Sequence, residues 1–418
     1  MSFIEIVGGN KLYGEIDIQG SKNAVLPILA ATILIPGISK IHRCPRIRDV
    51  LIMVKILESI GCKVWWEVDS VCVDATDLKE VTVPDEYVKE MRSSIILMGA
   101  LLGRMNRVSI SFPGGCTIGK RPIDYHLSSL KRMNVNIEEV DEKIDCETEK
   151  VVGTDIHLNF PSVGATENIL LAAVLAKGTT RICNAAREPE IDDLCFFLNQ
   201  CGAKIRGMGT DYLKIEGVEK LSNIEYTVAS DRIVAGTYLA MVAGTGGNVT
   251  LKKVDPNHLT KVIHVLSEMG SKIVIGKDYI RIQSNGKLVA PPITVTRPYP
   301  GFPTDMQSQL MSLATKSEGS TIIVENIFED RYSNVGELVS MGADILVRGR
   351  TAVIQGVDEI YGREVYAKDL RAGAALVLAG LIAEGVTKVY NTIYIERGYE
   401  DIVSDLKSLG AMIQYVVV

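Results

Sequence analysis

The chain returns six times to one short pattern, which reads SIGCKV at 59–64, RMNVNI at 132–137, QCGAKI at 200–205, EMGSKI at 268–273, SMGADI at 340–345 and SLGAMI at 408–413. The third residue is glycine each time, except for Asn134, and it recurs at intervals of 68 to 73 residues. Glycine ends helices because it enters the left-handed backbone region without a Cβ penalty, and asparagine is the next most tolerant residue. The pattern therefore predicts six structural repeats.

The last repeat illustrates the predicted unit. Residues 370–384 are apolar on nearly every side, which is typical of a buried helix, and they end at Gly385. The segment TKVYN follows as a predicted strand, then a loop NTIYIERG, and then an amphipathic helix over 399–409. A second strand closes the unit after Gly410. Each repeat is thus expected to hold one buried helix, one half-buried helix and strands.

A repeat of about 70 residues exceeds the 20–50 residues of solenoid modules and is large enough to carry its own sheet. Six copies in 418 residues predict an α/β protein of two domains, each built of three repeats with buried helices and outer sheets. A join is expected near 228–230, where Ser230 and Asp231 are placed to cap the next buried helix.

Composition excludes several classes of protein. The chain is 47% hydrophobic and 23% charged, which rules out disordered, collagen-like and coiled-coil chains. Its net charge of −6 argues against a nucleic-acid partner, because such binding requires a basic face. We see no signal peptide and no apolar run long enough for a membrane span, so no membrane partner and a cytoplasmic location are expected. The 8 cysteines and 5 histidines show no metal-binding spacing, so no metal is expected.

The second repeat departs from the others in one loop. Its buried helix is separated from Asn134 by 28 residues, whereas the corresponding distance in the first, third, fifth and sixth repeats is 23 to 25. The extra residues lie in SFPGGCTIGKRPID at 111–124, which brings Cys116, Lys120 and Arg121 together among glycines. Neighbouring cations favour the reactive thiolate, so Cys116 is a candidate nucleophile or proton donor. The alternative is an inert cysteine in a flexible turn.

The starts of the buried helices supply further candidates. Most of their polar residues are interpreted as helix caps, but Lys22 opposes the helix dipole unless an anion is bound beside it. Arg371 and Arg397 have the forked guanidinium that suits phosphate or carboxylate, with a surface ion pair as the alternative. Asp305 is either a plain cap or a base for an alcohol.

Several segments resemble the UDP-N-acetylglucosamine 1-carboxyvinyltransferase family along essentially the whole chain. They are QGSKNAVLPILAA at 19–31, FPGGCTIGKRPID at 112–124, SVGATENI at 162–169, NAAREPEIDD at 184–193, FPTDMQ at 302–307, DLRAGAALVLAGLIAEG at 369–385 and ERGYE at 396–400. The related enolpyruvyl transferases of the shikimate pathway share the architecture but lack this cysteine loop.

The resemblance implies an inside-out α/β barrel of two domains, the first over 22–229 and the second over 1–21 plus 230–418. It implies transfer of the enolpyruvyl group of phosphoenolpyruvate to the 3′-hydroxyl of UDP-N-acetylglucosamine, with release of phosphate through a tetrahedral intermediate. This is the first committed step of peptidoglycan synthesis. The family uses no metal or organic cofactor.

The resemblance also implies roles for individual residues. Lys22, Arg121 and Arg397 would hold phosphoenolpyruvate; Cys116 would be the general acid and the thiol alkylated by the epoxide antibiotic fosfomycin; Asp305 would take the sugar hydroxyl proton. Asp369 and Arg371 would support the site. The nucleotide sugar would be held by Asn23, Arg92, Arg121, Pro122, Ile123, Asp124, Tyr125, His126, Ser162, Val163, Gly164, Ile327 and Phe328. One departure is Phe160–Pro161, where some members have a lysine near the nucleotide.

The sequence leaves two alternatives to this function. A shikimate-type enolpyruvyl transferase would act on shikimate 3-phosphate, but the chain has the cysteine loop that those enzymes lack. A catalytically silent paralogue would serve as a binding protein. The joint presence of Lys22, Cys116, Arg121, Asp305 and Arg397 argues against the silent paralogue, because drift would not preserve that set.

Overall fold

The computed structural model describes residues 2–114 and 123–417. Within them the chain forms two compact units. The N-terminal unit comprises residues 20–114 and 123–229, and the C-terminal unit comprises residues 2–19 and 230–417. Both units combine helices with small sheets, so the α/β class predicted from the repeat is confirmed. No helix in the described ranges is long and apolar enough to cross a membrane.

The described residues form the following helices. They are α1 (Lys22–Thr32), α2 (Arg48–Ser59), α3 (Asp85–Glu90), α4 (Leu97–Met105), α5 (Asp124–Arg132), α6 (Val163–Ala173), α7 (Pro189–Gln200), α8 (Arg232–Thr245), α9 (Thr260–Glu268), α10 (Gln307–Ala314), α11 (Val335–Ser340), α12 (Leu370–Ile382) and α13 (Ile402–Ser408). Short 3-10 helices occupy Arg92–Ile96, Pro256–Leu259, Thr304–Met306 and Thr392–Arg397.

The strands are equally short. They are β1 (Ser2–Val7), β2 (Leu12–Asp17), β3 (Ile38–His42), β4 (Lys63–Glu67), β5 (Ser70–Asp74), β6 (Arg107–Ser111), β7 (Asn136–Val140), β8 (Lys143–Glu147), β9 (Asp155–His157), β10 (Thr179–Cys183), β11 (Lys204–Arg206), β12 (Tyr212–Glu216), β13 (Glu225–Thr227), β14 (Gly247–Lys252), β15 (Lys272–Ile275), β16 (Tyr279–Ser284), β17 (Ile293–Val295), β18 (Ser320–Val324), β19 (Asp344–Arg348), β20 (Thr351–Gln355), β21 (Glu364–Tyr366), β22 (Val386–Tyr390) and β23 (Met412–Val417).

One helix of each repeat is buried along almost its whole length, as predicted. Helices α1, α4 and α6 belong to the core of the N-terminal unit, and α8, α10 and α12 to that of the C-terminal unit. Such a helix is apolar on most sides because little of it meets water, and the polar residues that it buries need partners within the protein. Helices α4 and α6 approach so closely that a Cβ on Gly99 would lie 2.2 Å from the Asn168 carbonyl oxygen. Glycine is therefore required there.

The repeat terminators adopt the predicted backbone. The five glycines at the fixed position have φ between 98° and 108°, and Asn134 has φ 69°. Two details of the last repeat differ from prediction. The segment expected to be a loop contains the 3-10 helix at Thr392–Arg397, and the final helix begins at Ile402 instead of residue 399. The reason for the later start is Asp401, whose side chain accepts the Ser404 N–H and caps the helix.

Each repeat carries its own sheet, and the strand orders show how repeats interlock. Five sheets among the described residues have four strands: β13-β3-β5-β4, β9-β10-β12-β11, β2-β14-β16-β15, β17-β18-β20-β19 and β21-β22-β1-β23; the sixth, β6-β8-β7, has three. In the N-terminal unit, β13 at the end of the last repeat pairs in parallel with β3 of the first. In the C-terminal unit, β1 pairs with β22 and β23, and β2 pairs with β14.

Candidate active site

Lys22 is the first residue of α1 and its ammonium lies 2.8 Å from the Asp49 carboxylate at the start of α2. The side chain of Lys22 is 12% exposed and that of Asp49 only 1%. A cation at a helix N-terminus is unfavourable unless an anion compensates it, and Asp49 supplies that anion within the protein. Neighbouring Asn23 is half-buried. The sequence did not single out Asp49, because an acid in the first turn of a helix is ordinary.

The predicted cysteine loop falls mostly outside the described residues. Cys116, Arg121 and Pro122 lie there, together with Lys120. At the described edge of this loop, Arg92 donates to the Gly114 carbonyl oxygen at 3.4 Å from the 3-10 helix that precedes α4.

The seven described cysteines are free thiols, and six of them are buried. Burial raises the pKa of Cys62, Cys146 and Cys201 to about 12 and that of Cys195 further. Thiols with such pKa values stay protonated and unreactive at neutral pH, so these four are packing residues.

Helix α5 brings Ile123, Asp124, Tyr125 and His126 to the start of α6. Ile123 precedes the helix and Asp124 and Tyr125 open it, with Asp124 exposed and Tyr125 half-buried. His126 is 7% exposed. Burial and the charge of Arg92 lower the pKa of His126 to about 4, against the opposing charge of Asp124.

The N-terminal turn of α6 contains the predicted residues Ser162, Val163 and Gly164. Ser162 is the cap, and its hydroxyl accepts the Ala165 N–H at 3.3 Å. A Cβ on Gly164 would lie 3.0 Å from Cε1 and 3.3 Å from Nε2 of His126. The imidazole edge therefore faces the first turn of α6, and the structure brings these nucleotide-binding candidates together.

Asp305 lies between two buried arginines. Arg331 donates to its Oδ1, and Arg371 donates to its Oδ2 at 3.1 Å. Asp305 is not at the cap position of either helix, since Pro303 precedes the 3-10 helix and Met306 precedes α10. Burial lowers the pKa of Arg371, but the Asp305 carboxylate outweighs that effect and raises it, so the guanidinium stays charged.

A second group of contacts supports this arrangement. Asp369 caps α12 by accepting the N–H groups of Arg371 and Ala372, both at 2.9 Å, and its other oxygen accepts the Ser333 hydroxyl at 2.7 Å. One Nη of Arg371 makes no hydrogen bond within the described part of the chain. Arg371 thus holds one buried donor without a partner among the described residues.

Ile327 and Phe328 are positioned by a buried glutamate. Glu325 accepts their N–H groups at 2.8 and 3.0 Å through one oxygen and the Thr304 hydroxyl at 2.9 Å through the other. The N–H groups of Ile327 and Phe328 are therefore occupied, and only their carbonyl groups and side chains are available to a ligand. Thr304 directly precedes Asp305 in the sequence. Glu325 therefore connects the turn of Ile327 and Phe328 to the segment that carries Asp305.

Arg397 ends the 3-10 helix before α13 and is half-buried. The turn that follows it is held by Gln19, which donates to the Gly398 carbonyl oxygen at 3.3 Å and accepts the Glu400 N–H at 3.0 Å. Next in the turn, the Tyr399 hydroxyl lies 2.8 Å from that of Thr237. These contacts explain how the turn carrying Arg397 is kept in place.

Comparison with known proteins identifies the family. Residues 6–406 match the family described as EPSP synthase (3-phosphoshikimate 1-carboxyvinyltransferase). A protein of Caldanaerobacter subterraneus subsp. tengcongensis, named UDP-N-acetylglucosamine 1-carboxyvinyltransferase 2, is 54% identical over 411 residues, which are 98% of this chain and 99% of that protein. The chain belongs to the UDP-N-acetylglucosamine 1-carboxyvinyltransferase family. A member from Symbiobacterium thermophilum is 48% identical over 98% of this chain and 94% of its own length.

Solved structures agree with this family assignment. The enolpyruvyl transferase NikO from Streptomyces tendae is 25% identical, with a TM-score of 0.89 over all of this chain and 99% of that one. An EPSP synthase from Acinetobacter baumannii, at 19% identity and a TM-score of 0.75, shares the fold over the full length of both chains. The inside-out α/β fold of two domains expected for the carboxyvinyltransferase family is thereby confirmed.

Four residues of this family member were not predicted from its sequence. Asp49, Glu325 and Arg331 contact predicted site residues or the turns that carry them, and Asn168 contacts His126. No local pattern marks Asp49, Arg331 or Asn168, because each contacts a residue that is 26 or more positions away in the sequence. Glu325 differs, because its carboxylate accepts the N–H groups of the residues two and three positions after it. No cluster of three or more His, Cys, Asp or Glu side chains suited to a metal ion occurs in the described residues.

Proposed function

We propose that this chain transfers the enolpyruvyl group of phosphoenolpyruvate to the 3′-hydroxyl of UDP-N-acetylglucosamine and releases phosphate, as the first committed step of peptidoglycan synthesis in the cytoplasm. The observation that carries the proposal is the Asp305 carboxylate held between two buried guanidinium groups. It occurs in a chain that is 54% identical to a relative named for this activity. Such an arrangement suits a reaction that joins an alcohol to an anionic substrate.

Asp305 takes the proton of the sugar hydroxyl in this proposal. An ionised carboxylate only accepts hydrogen bonds, so it is the form of Asp305 that can receive the hydroxyl proton. The two guanidinium groups keep Asp305 ionised and oriented, which a general base requires before the substrate arrives. Arg331 and Arg371 act on the reaction through this orientation.

Phosphoenolpyruvate carries a phosphate and a carboxylate, and we assign them to Lys22, Arg121 and Arg397. Arginine forks bind both groups well, and a lysine at a helix N-terminus adds a point charge to a region that already attracts anions. Lys22 is mostly buried beside Asp49, so it is held in one place. Cations of this kind stabilise the negative charge on the phosphate as it leaves.

Cys116 is the general acid in this proposal. Its proton goes to the methylene carbon of phosphoenolpyruvate while the sugar oxygen bonds to the neighbouring carbon, which gives the tetrahedral intermediate. The bond from that carbon to the phosphate oxygen then breaks and phosphate leaves with the proton that Asp305 took up. The Cys116 thiolate takes a proton back from the methyl group, which restores the double bond and the thiol. Each atom is accounted for without a cofactor or an oxidant.

The nucleotide sugar is assigned to the residues gathered at the start of α6, with Asn23, Arg92, Ile327 and Phe328. A helix N-terminus presents unpaired N–H groups to an anion, and the diphosphate of UDP-N-acetylglucosamine is such an anion. The absence of a Cβ at Gly164 lets the imidazole of His126 approach this turn. Together these donors favour a diphosphate over a neutral sugar.

A phosphate-release assay tests the proposal. Purified protein is mixed with phosphoenolpyruvate and either UDP-N-acetylglucosamine or shikimate 3-phosphate, the acceptor of the enzymes that name the matched family. We expect phosphate with the first acceptor only. Release with shikimate 3-phosphate would favour the shikimate-type alternative, and folded protein that binds UDP-N-acetylglucosamine without turnover would indicate a silent binding protein.

Fosfomycin tests the role of Cys116 separately. We expect one covalent adduct by intact-protein mass spectrometry, lost in Cys116→Ser and retained in Cys183→Ser. Cys183 is a suitable control because it is half-buried and therefore more accessible than the other described cysteines. An adduct that persists in Cys116→Ser would reject the role given to this thiol.

A further inference from the structure

Asn168 is a fully buried residue of α6 whose side chain makes three hydrogen bonds. Its Oδ1 accepts the Gly99 N–H at 2.7 Å, and its Nδ2 donates to the Ile95 carbonyl oxygen at 3.0 Å. The third bond joins Nδ2 to Nδ1 of His126 at 2.6 Å. Both polar atoms of this amide are hydrogen-bonded, as a buried amide requires.

These contacts determine which way the amide faces. The Gly99 N–H can only donate and the Ile95 carbonyl can only accept, so the oxygen and nitrogen of Asn168 cannot be exchanged. Nδ2 is therefore a donor toward His126, and Nδ1 of the imidazole must accept. A neutral imidazole that accepts at Nδ1 carries its proton on Nε2.

The Nε2 edge of His126 faces the first turn of α6. It lies 3.3 Å from the position of a Cβ on Gly164 and makes no hydrogen bond within the described ranges. The N–H groups of the first helical turn have no partner within the helix. The Nε2–H of this largely buried histidine thus adds to the N–H donors of Val163 and Gly164 at one place, and such a group of donors suits an anion.

We propose that Asn168 is a positioning residue that holds His126 as a neutral Nε2–H donor at the start of α6, where it binds an oxygen of the nucleotide diphosphate. The identity of this anion rests on the proposed function, whereas the tautomer of His126 does not. The charged groups that face His126 are Arg92, from the 3-10 helix before α4, and Asp124, from α5 itself. Burial and Arg92 disfavour the imidazolium, so the imidazole stays neutral at physiological pH.

The tautomer can be measured in the unaltered protein without substrate. Histidine-selective ¹⁵N labelling gives imidazole signals for 5 histidines. The signal of His126 is the one that disappears in His126→Gln. Because the two nitrogens of a neutral imidazole differ strongly in ¹⁵N shift, the spectrum distinguishes Nε2–H from Nδ1–H. We expect Nε2–H with no titration between pH 5 and 8. An Nδ1–H tautomer, or titration near the ordinary value of about 6.5, would overturn the proposal.

Asn168→Asp tests the positioning role. The carboxylate still accepts the Gly99 N–H but offers a second acceptor to Nδ1, so His126 should take up a second proton. We expect its titration to move upward by about two pH units or more. The KM for UDP-N-acetylglucosamine should then vary about tenfold across that titration, while the KM of the unaltered protein stays flat.

A matched control separates positioning from general damage to the core. Thr166 is also fully buried on α6, and its hydroxyl bonds the Ser162 carbonyl oxygen and the Ala186 N–H instead of His126. Thr166→Val should lower stability and leave the His126 signals unchanged. Identical His126 titration in Asn168→Asp and Thr166→Val would overturn the proposal. If the expected tautomer is found but no turnover occurs, the proposed function fails and the role of Asn168 in setting the tautomer stands.

Discussion

Asp49→Asn tests whether an internal carboxylate compensates the charge of Lys22. The two groups are 2.8 Å apart, and at an effective dielectric constant of 20 their attraction is about 6 kcal/mol. Desolvation offsets part of this, and removing one partner of a buried pair typically costs about 3–5 kcal/mol. For a unit of roughly 200 residues, each kcal/mol shifts Tm by about 2–4 °C. We therefore expect Tm of the N-terminal unit to fall by about 6–20 °C.

A neighbouring ion pair provides the control. Arg48 lies next to Asp49 and pairs with Glu90 at 3.0 Å, but its side chain is 40% exposed and that of Glu90 is 47% exposed. Exposed pairs contribute about 0–1 kcal/mol, so Glu90→Gln should leave Tm almost unchanged. Both variants are measured by scanning calorimetry at low ionic strength.

Inorganic phosphate extends the test to function. In Asp49→Asn the ammonium of Lys22 lacks its carboxylate, so a phosphate ion should bind there and restore part of the lost stability. A ligand present at 100 times its Kd stabilises a protein by about 2.7 kcal/mol. We expect phosphate to raise Tm more in Asp49→Asn than in Glu90→Gln. Equal Tm values for the two variants without phosphate would show that the buried pair does not stabilise the N-terminal unit, and equal responses to phosphate would show that Lys22 does not bind the anion.

Three further predictions concern single side chains. Burial, together with neighbouring glutamates, raises the pKa of Glu167 well above its usual value, so the folded state holds a proton that the unfolded state loses near pH 4.5. Stability should therefore fall as pH rises above about 4.5, and in urea unfolding from pH 4 to 8 Glu167→Gln should abolish this fall. Gly164→Ala should raise the KM for UDP-N-acetylglucosamine about tenfold, because its Cβ would press on the imidazole beside it, whereas Gly336→Ala, in an open helical position, should leave kinetics unchanged. Gly202→Ala should lower the free energy of unfolding by about 1–2 kcal/mol, because φ there is 103°, and an unchanged midpoint in urea would contradict that reasoning.

The fold was largely predictable because its signals are local. A glycine with positive φ after a helix and an apolar run without a polar side are both visible in short windows of sequence. Both signals recur along the chain in six repeats, which strengthens the prediction. The sequence did not reveal which strands share a sheet, since β1 joins β22 and β23 from almost the other end of the chain. Such pairing depends on tertiary packing that no short window contains.

The candidate site was predictable where a residue violated a local rule. Lys22 was predicted as a site residue because a cation is unfavourable at the start of a helix. Its partner, Asp49, was identified only from the structure. Asp305 was ambiguous in sequence, because a cap and a base look alike there. The structure places Pro303 at the cap position and pairs the Asp305 carboxylate with Arg331 and Arg371. Arg331 was missed because a single arginine in a loop carries no pattern.

The product of the reaction shows whether this chain joins an enolpyruvyl group to a nucleotide sugar. The protein is incubated with phosphoenolpyruvate and UDP-N-acetylglucosamine, and the nucleotide is analysed by mass spectrometry and ³¹P NMR. We predict a nucleotide sugar heavier by one enolpyruvyl group, with its diphosphate intact and one phosphate released per product. Unaltered UDP-N-acetylglucosamine after incubation with folded protein would contradict the account.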